Sequence, residues 1–108
     1  MDQNKFMAIG KLEGDPQMSE QGNRKQAHFI LIVNRRMQNA NGQWVDVPVH
    51  VPIFAFEKKA ETVGQYVKAG QEVSIEAYYQ NWKAADGTEG HGMMIERISF
   101  GYRPKAQN

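Results

Sequence analysis

The sequence predicts an all-β domain, a small barrel of five strands with one short helix inserted between the third and fourth strands. Long stretches alternate apolar and polar residues, which is the period of a half-buried strand. One stretch follows a helical period instead: Ala60, Val63 and Val67 form a narrow apolar stripe. Gly70 follows it, where a left-handed residue can end a helix at little steric cost. A lone short helix between long strands is the arrangement expected of an OB-fold, a five-stranded Greek-key barrel.

The first two strands are assigned to residues 5–12 and 26–37, the second with Phe29, Leu31 and Val33 on one face. A turn signal, Asn-Ala-Asn-Gly at 39–42, connects the second strand to the third. Five aliphatic residues of this third strand are expected inward: Val45, Val47, Val49, Val51 and Ile53. The intervening residues are expected outward: Trp44, Asp46, Pro48, His50, Pro52, Phe54 and Phe56. Since proline cannot donate to a ladder, we expect pairing to bend or break between His50 and Pro52.

The fourth strand repeats the alternation, and a turn at 85–88 connects it to a fifth strand at 93–100. Its inward residues are predicted to be Val73, Ile75, Ala77 and Tyr79. Its outward residues are predicted to be Ser74, Glu76, Tyr78, Gln80 and Trp82.

Composition narrows the class of protein. With 108 residues, the chain is expected to form one domain over 1–103, followed by a short basic tail at 104–108. Cysteine is absent and the three histidines are scattered, so we expect no disulfide, no metal site and no cofactor. No apolar run approaches membrane-spanning length and the N-terminus lacks a signal-peptide core, so a cytoplasmic location is expected. Motifs typical of enzyme active sites are missing, and no enzyme activity is expected.

Charge is distributed unevenly although the formal net charge is only +1. Residues 21–45 contain no acid but include Arg24, Lys25, Arg35 and Arg36. One side of the second strand should therefore be locally positive. Ordinary solvated charges are the alternative interpretation for each of these side chains.

Large rings on the face opposite the aliphatic core suggest a surface on which exposed bases stack. Ten residues are predicted to bind DNA on or beside this face: Lys5, Arg35, Arg36, Trp44, His50, Phe56, Lys58, Tyr78, Trp82 and Lys83. Other interpretations stay open. Phe54 and Phe56 could belong to the core, and the tryptophans could only cover hairpins. Tyr78 could lie in a subunit interface.

Three segments in order resemble the bacterial single-stranded DNA-binding protein family. They are N-K-F-M-A-I-G-K-L-E-G-D-P at 4–16, A-H-F-I-L-I-V-N-R-R at 27–36, and the strand, helix and strand over 53–77. In the last segment the matching residues are Phe56, Lys58, Ala60, Glu61, Tyr66, Val67, Gly70, Gln71 and Val73. The family stacks bases on tryptophans at three places, which align with Met37, His50 and Ala84; Phe56 matches its stacking phenylalanine. Trp44 and Trp82 are displaced from those places, so the resemblance implies rearranged stacking.

The resemblance further implies non-specific binding of single-stranded DNA during replication, recombination or repair, and a homo-oligomer. A dimer or tetramer also fits Ile30 and Ile32, which make both faces of the second strand apolar. Family members commonly end in an acidic tip, whereas residues 104–108 are basic. The chain is therefore expected to be a short phage, plasmid or PriB-like relative. The alternative function is an OB-fold protein-interaction or primosome accessory module with weak nucleic-acid binding.

Overall fold

A computed structural model describes residues 2–21, 24–83 and 86–100, except for the side chain of Gln21. The predicted tail at 104–108 lies outside this part of the chain, as do Ala84 and the first residue of the predicted turn, Ala85. The described residues form six strands and one helix: β1 Phe6–Leu12, β2 Gln17–Gln21, β3 Arg24–Gln38, β4 Trp44–Phe56, α1 Lys58–Tyr66, β5 Glu72–Lys83 and β6 Glu89–Phe100.

Five of the strands close into a barrel in the order β1-β5-β6-β4-β3, and β1 pairs with β3 to complete the ring. The closing contact is antiparallel and short, with Lys11 opposite Ile32 and Leu12 opposite Leu31. β4 and β6 run parallel and pair at Ile53 with Met93 and at the next position on each strand. The predicted five-stranded OB-fold with a helix between its third and fourth barrel strands is confirmed.

The additional strand β2, which lies outside the five-stranded barrel, was not predicted from the sequence pattern. It pairs with the start of β3, from Gln17 opposite His28 to Gln21 opposite Arg24. β1 pairs with β3 further along, so β1 and β2 occupy successive stretches of one edge. The sequence Q-M-S-E-Q is almost wholly polar and carries no apolar alternation. It is therefore held as a strand by its ladder on β3 and not by burial.

The core lies inside the barrel, and the helix closes one end of it. Ala60, Val63 and Val67 are fully buried there, which confirms the predicted stripe. Burial of each valine stabilises the fold by about 1.5–3 kcal/mol. The helix ends at Tyr66, and Gly70 follows in a separate turn with φ of +78°. The Gly70 amide donates to the Leu12 carbonyl oxygen (2.8 Å). This hydrogen bond ties the segment between the helix and β5 to the end of β1.

The first half of β4 departs from the prediction, because among its aliphatic residues only Val51 packs against the core, and it is only partly buried. Together with the end of β3 it leaves the barrel as a two-stranded arm, residues 33–38 and 44–51. Val45 and Val49 are 36% and 41% exposed, whereas Ile53 is fully buried. The alternation of faces is as predicted, but beyond Val33 and Val51, which pack against the core, no strand other than β3 and β4 pairs within the arm among the described residues.

The predicted break in pairing at the prolines of β4 is wrong. Register is continuous from Gln26 opposite Phe56 to Gln38 opposite Trp44. The Ile30 carbonyl oxygen accepts the Glu13 amide (2.9 Å) and so points away from β4. The pair of Ile30 and Pro52 is therefore a non-hydrogen-bonded pair of the ladder, and the nitrogen of Pro52 faces the opposite edge. Pro48 has the same parity and is accommodated in the same way.

Candidate nucleic-acid interface

Four half-buried rings meet on the outer face of the barrel, and we call His28, Phe54, Phe56 and Trp82 the aromatic cluster. The Trp82 and Phe54 centroids are 5.1 Å apart with the ring planes tilted by 59°. Trp82 meets Phe56 edge to face at 5.5 Å. His28 stacks on Phe54 at 5.7 Å and 27°. Such arrangements contribute about 0.5–1.5 kcal/mol per aromatic pair beyond burial of area.

Strand alternation and register bring this cluster together. On β4, Ile53 and Ala55 point into the core, so Phe54 and Phe56 point outward. Register then places His28 of β3 directly opposite Phe54. Of the two phenylalanines that sequence reasoning left open between core and surface, neither is fully buried.

Tyr78 extends the same face on β5. It lies opposite Met94 of β6, which in turn lies beside Phe54 of β4. These residues and His28 therefore form one row across four strands. Tyr78 is half-buried, and sequence reasoning placed it on this face correctly.

Arg24 and His28 are members of the site that the sequence-based list of binding residues lacks. The Arg24 guanidinium lies over the Phe56 ring, 5.6 Å from its centroid. Its Nε atom is also 3.9 Å from Glu57 Oε2. Arg24 was recognised only as part of a positive segment, whereas the contact with Phe56 depends on the pairing of Gln26 with that residue. His28 could have been found from its parity with Ile30 and Ile32 on β3.

A strained turn follows the cluster directly. Glu57 has φ of +57° and ψ of −126°, a region that L-residues rarely adopt. Its amide donates to the Lys25 carbonyl oxygen (2.9 Å), and the Lys25 amide donates to Glu57 Oε1 (3.4 Å). These two bonds tie the start of the helix to β3. Lys58, a predicted DNA contact, is exposed at the first residue of the helix.

Lys25, next to Arg24, is already engaged by a carboxylate. Its Nζ donates to Glu61 Oε2 (2.7 Å). The hydrogen bond and charge of Lys25 hold the pKa of Glu61 below its ordinary value. The same hydrogen bond and the charge of Glu61 raise the pKa of Lys25. The positive charge of Lys25 is therefore partly neutralised at this end of the site.

The outer face continues from the aromatic cluster along the arm. Arg36 lies opposite Asp46, and Trp44 lies opposite Gln38 near the tip. Trp44 is 60% exposed. His50 is on this face too, and its Nδ1 forms a 2.8 Å hydrogen bond with Glu13 Oε1.

Arg35 points to the other side of the arm. It lies opposite Val47, among the aliphatic residues, because neighbouring strand residues face opposite ways. The structure thus separates the two arginines that the sequence analysis grouped together.

The remaining predicted contacts lie at the margin of the face. The Lys5 amine forms an ion pair with Glu76 Oε1 (3.1 Å), and Arg97 Nη1 lies 4.0 Å from the other oxygen of that carboxylate. Lys83 is exposed and follows Trp82 at the end of β5. Within the described ranges, no group of three or more His, Asp or Glu side chains could hold a metal ion.

This geometry agrees with a comparison against known families. The profile of the Single-strand binding protein family matches residues 3–99. The chain belongs to this family. The family resemblance inferred from the three sequence segments is confirmed.

Curated members of the single-strand binding family give the same result. The chain is 27% identical over 84 residues to the single-stranded DNA-binding protein of Borreliella burgdorferi. This alignment covers 76% of this chain and 56% of that protein. It is 29% identical over 103 residues to single-stranded DNA-binding protein 2 of Chlorobaculum tepidum, covering 90% and 70%. It is 32% identical over 80 residues to single-stranded DNA-binding protein 1 of Clostridium acetobutylicum, covering 71% and 70%.

A solved structure shares the fold of this family member. The wild-type single-stranded DNA-binding protein of Thermus aquaticus superposes with a TM-score of 0.73 at 19% identity. The match covers 93% of this chain and 50% of that one. The chain thus spans about half the length of the Thermus protein.

Among the helices of the described residues, none has the length and apolar character that crossing a membrane requires.

Proposed function

We propose that this domain binds single-stranded DNA with little sequence preference. Family membership and the names of the curated relatives support the proposal. The observation that carries it is the aromatic cluster, whose rings are half-buried on the open face of the barrel. Each base stacked on a ring contributes about 1–3 kcal/mol, and stacking tolerates any sequence because every base has a π-face.

The proposed path follows the outer face from the aromatic cluster onto the arm. Bases stack on Trp82 and Phe56, which are held against each other, and the backbone then runs towards Trp44 near the tip of the arm. Arg36 lies beside this path and supplies a phosphate contact. Lys58 is exposed just after Phe56 and supplies another.

The proposed biological role is protection of single strands during replication, recombination or repair in a bacterial cytoplasm. A protein that stacks bases without reading them suits this role, because it must cover any sequence that becomes unpaired. Catalysis is not part of the proposal.

A homo-oligomer, at least a dimer, completes the proposal. Met7 and Ile9 on β1 are 66% and 63% exposed, an unusual position for large apolar side chains. β1 pairs with β3 at Lys11 and Leu12, so among the described residues its edge at 6–10 has no ladder partner on that side. Light scattering is expected to give a mass above the 12.3 kDa of one chain. Met7→Glu with Ile9→Glu is expected to lower it, and a monomeric mass for the unaltered protein at micromolar concentration would contradict the oligomer.

A second candidate function, an OB-fold protein-interaction module, is favoured by one observation. The arm presents an exposed aliphatic row that includes Val45, Val49 and Met37. An apolar protein interface depends weakly on salt, whereas binding to phosphates weakens steeply as salt rises.

The test is a titration with an oligo-dT, followed by intrinsic tryptophan fluorescence at 50 mM and 200 mM salt. We expect quenching on addition of the oligomer, weaker binding at the higher salt concentration, and poor competition by duplex DNA. Equal affinity for duplex and single strand, or no binding at 50 mM salt, would refute the proposal.

A further inference from the structure

The strand beside Trp82 carries two glycines on the outer face of the barrel. β6 begins E-G-H-G, and Gly90 and Gly92 alternate onto the face that holds the aromatic cluster. Gly90 lies directly opposite Trp82, and Gly92 lies opposite Gln80. β6 separates β5 from β4, so the indole must cross it to reach Phe54 and Phe56.

The space above these two glycines is filled by the rings. A β-carbon at residue 90 would lie 2.6 Å from Trp82 Nε1, 2.7 Å from Cε2 and 2.9 Å from Cζ2. A β-carbon at residue 92 would lie 2.8 Å from Phe54 Cε2 and 3.6 Å from Trp82 Cη2. Neither glycine is among those with positive φ, so the backbone conformation does not require them. Glycine in the interior of a strand normally weakens the strand. We therefore attribute these two glycines to the space that the rings of Trp82 and Phe54 occupy.

We propose that Gly90 and Gly92 are positioning residues for base stacking. Because the two glycines have no side chains, the Trp82 indole can lie directly on the backbone of β6. In that position it makes contact with Phe54 and Phe56. A ring held in one orientation has little rotamer freedom left to lose when a base stacks on it. This inference rests on the proposed function, and it adds two residues whose substitution acts on DNA through Trp82.

The first measurement needs no DNA. In a Trp44→Phe background Trp82 is the remaining tryptophan. Gly90→Ala is expected to shift its emission maximum, because the added methyl lifts the indole from its contacts. Gly14→Ala is the matched control, since a β-carbon there meets no atom within 4 Å. An unchanged spectrum in folded Gly90→Ala would overturn the positioning role, whether or not the protein binds DNA.

The second measurement is affinity for an oligo-dT in the same background. Gly90→Ala is expected to weaken binding by at least about fivefold, the lower end for one stacked base, with an unchanged salt slope. Gly92→Ala is expected to weaken it through Phe54, and Gly14→Ala to leave it unchanged. Failure of both the unaltered protein and the Trp44→Phe parent to bind would refute the proposed function, whereas equal binding by the Trp44→Phe parent and all three glycine variants would refute only the positioning role.

A double-variant cycle separates positioning from a general loss of stability. Alanine at residue 82 removes the indole atoms that a β-carbon at residue 90 meets. The Trp82→Ala and Gly90→Ala double variant is therefore expected to fold and bind as well as Trp82→Ala alone. Binding is read here by fluorescence anisotropy of labelled oligo-dT, since this variant lacks Trp82. If the double variant binds more weakly than Trp82→Ala alone, the glycine does not act through the ring and the inference fails. This comparison holds even if Gly90→Ala itself is unstable.

Discussion

The arm offers a sharp test of where the phosphates lie, because Arg35 and Arg36 are neighbours in sequence on opposite faces. Both are exposed, and both are arginine, so the two substitutions to alanine are chemically identical. Arg36 shares its face with the aromatic cluster, whereas Arg35 shares the aliphatic face with Val47. A DNA strand that lies on the outer face can therefore meet Arg36 but not Arg35.

The expected magnitude follows from counterion release. Loss of one phosphate contact lowers the slope of log affinity against log salt by about 0.7 for a single strand. Between 50 and 200 mM salt, binding by Arg36→Ala should therefore weaken about 2.6-fold less than binding by the unaltered protein. Arg35→Ala should show the original slope. Asp46 lies opposite Arg36 in a non-hydrogen-bonded pair, where side chains approach closely, so Asp46→Asn should strengthen binding.

The assay is an oligo-dT titration at four or more salt concentrations, with a thermal melt of each variant as the control for folding. Equal losses of slope for Arg35→Ala and Arg36→Ala would refute the single-face path, because one strand cannot follow both faces of the arm. A loss for Arg35→Ala alone would place the DNA on the aliphatic face.

Three further predictions concern single side chains. Trp82→Ala should weaken oligo-dT binding by about 1–3 kcal/mol without changing the salt slope, and should lower the melting temperature because it loses two ring contacts; Trp44→Ala should leave the melting temperature unchanged because Trp44 is largely exposed. Glu57→Gly should melt higher than Glu57→Ala, because both lose the carboxylate contacts with Arg24 and with the Lys25 amide and only glycine relieves about 1–3 kcal/mol of backbone strain; equal melting temperatures would show that the turn is unstrained. Glu61→Gln should lower the melting temperature at neutral pH. The lowered pKa of Glu61 gives stability that is present above its ordinary value of 4.5 and lost as pH falls through the folded value, while the raised pKa of Lys25 gives stability that is lost only above 10.5. The two proteins should therefore melt alike at a pH far enough below 4.5 to protonate Glu61 in the folded protein, and a difference that persists there would exclude the Lys25 ion pair as its cause.

Alternation of apolar and polar residues predicted most of the barrel strands, because a strand with one buried face has an apolar residue at every second position. The bounds of β4 at Trp44 and Phe56 agree with the turn and helix signals on either side. Pattern cannot show whether another element covers a face. Val45, Val49 and Tyr79 were therefore wrongly expected to point into the core. β2 was missed for the complementary reason, since a polar edge strand held by its ladder has no apolar signal.

The candidate site divides along the same line. Parity alone placed Phe56, Tyr78 and Trp82 on one face, and the structure agrees. Two contacts depend on which residue of one strand lies opposite which residue of another. They are the Arg24 guanidinium over Phe56 and the packing of Trp82 on the two glycines of β6. A single-residue change of register would exchange both faces of a strand, so these contacts require the ladder itself.

The two halves of β4 show how one alternating strand serves two purposes. Where the barrel covers its inner face, at Ile53 and Ala55, burial fixes the strand and leaves Phe54 and Phe56 on the outside. Where the arm leaves the barrel, the same alternation continues with Val45 and Val49 exposed, so the arm is held mainly by its pairing with β3. Local opening should therefore occur at lower free energy in the arm than in the barrel. A rigid aromatic cluster beside a more easily opened basic arm suits a ligand whose bases need fixed rings and whose backbone varies in path.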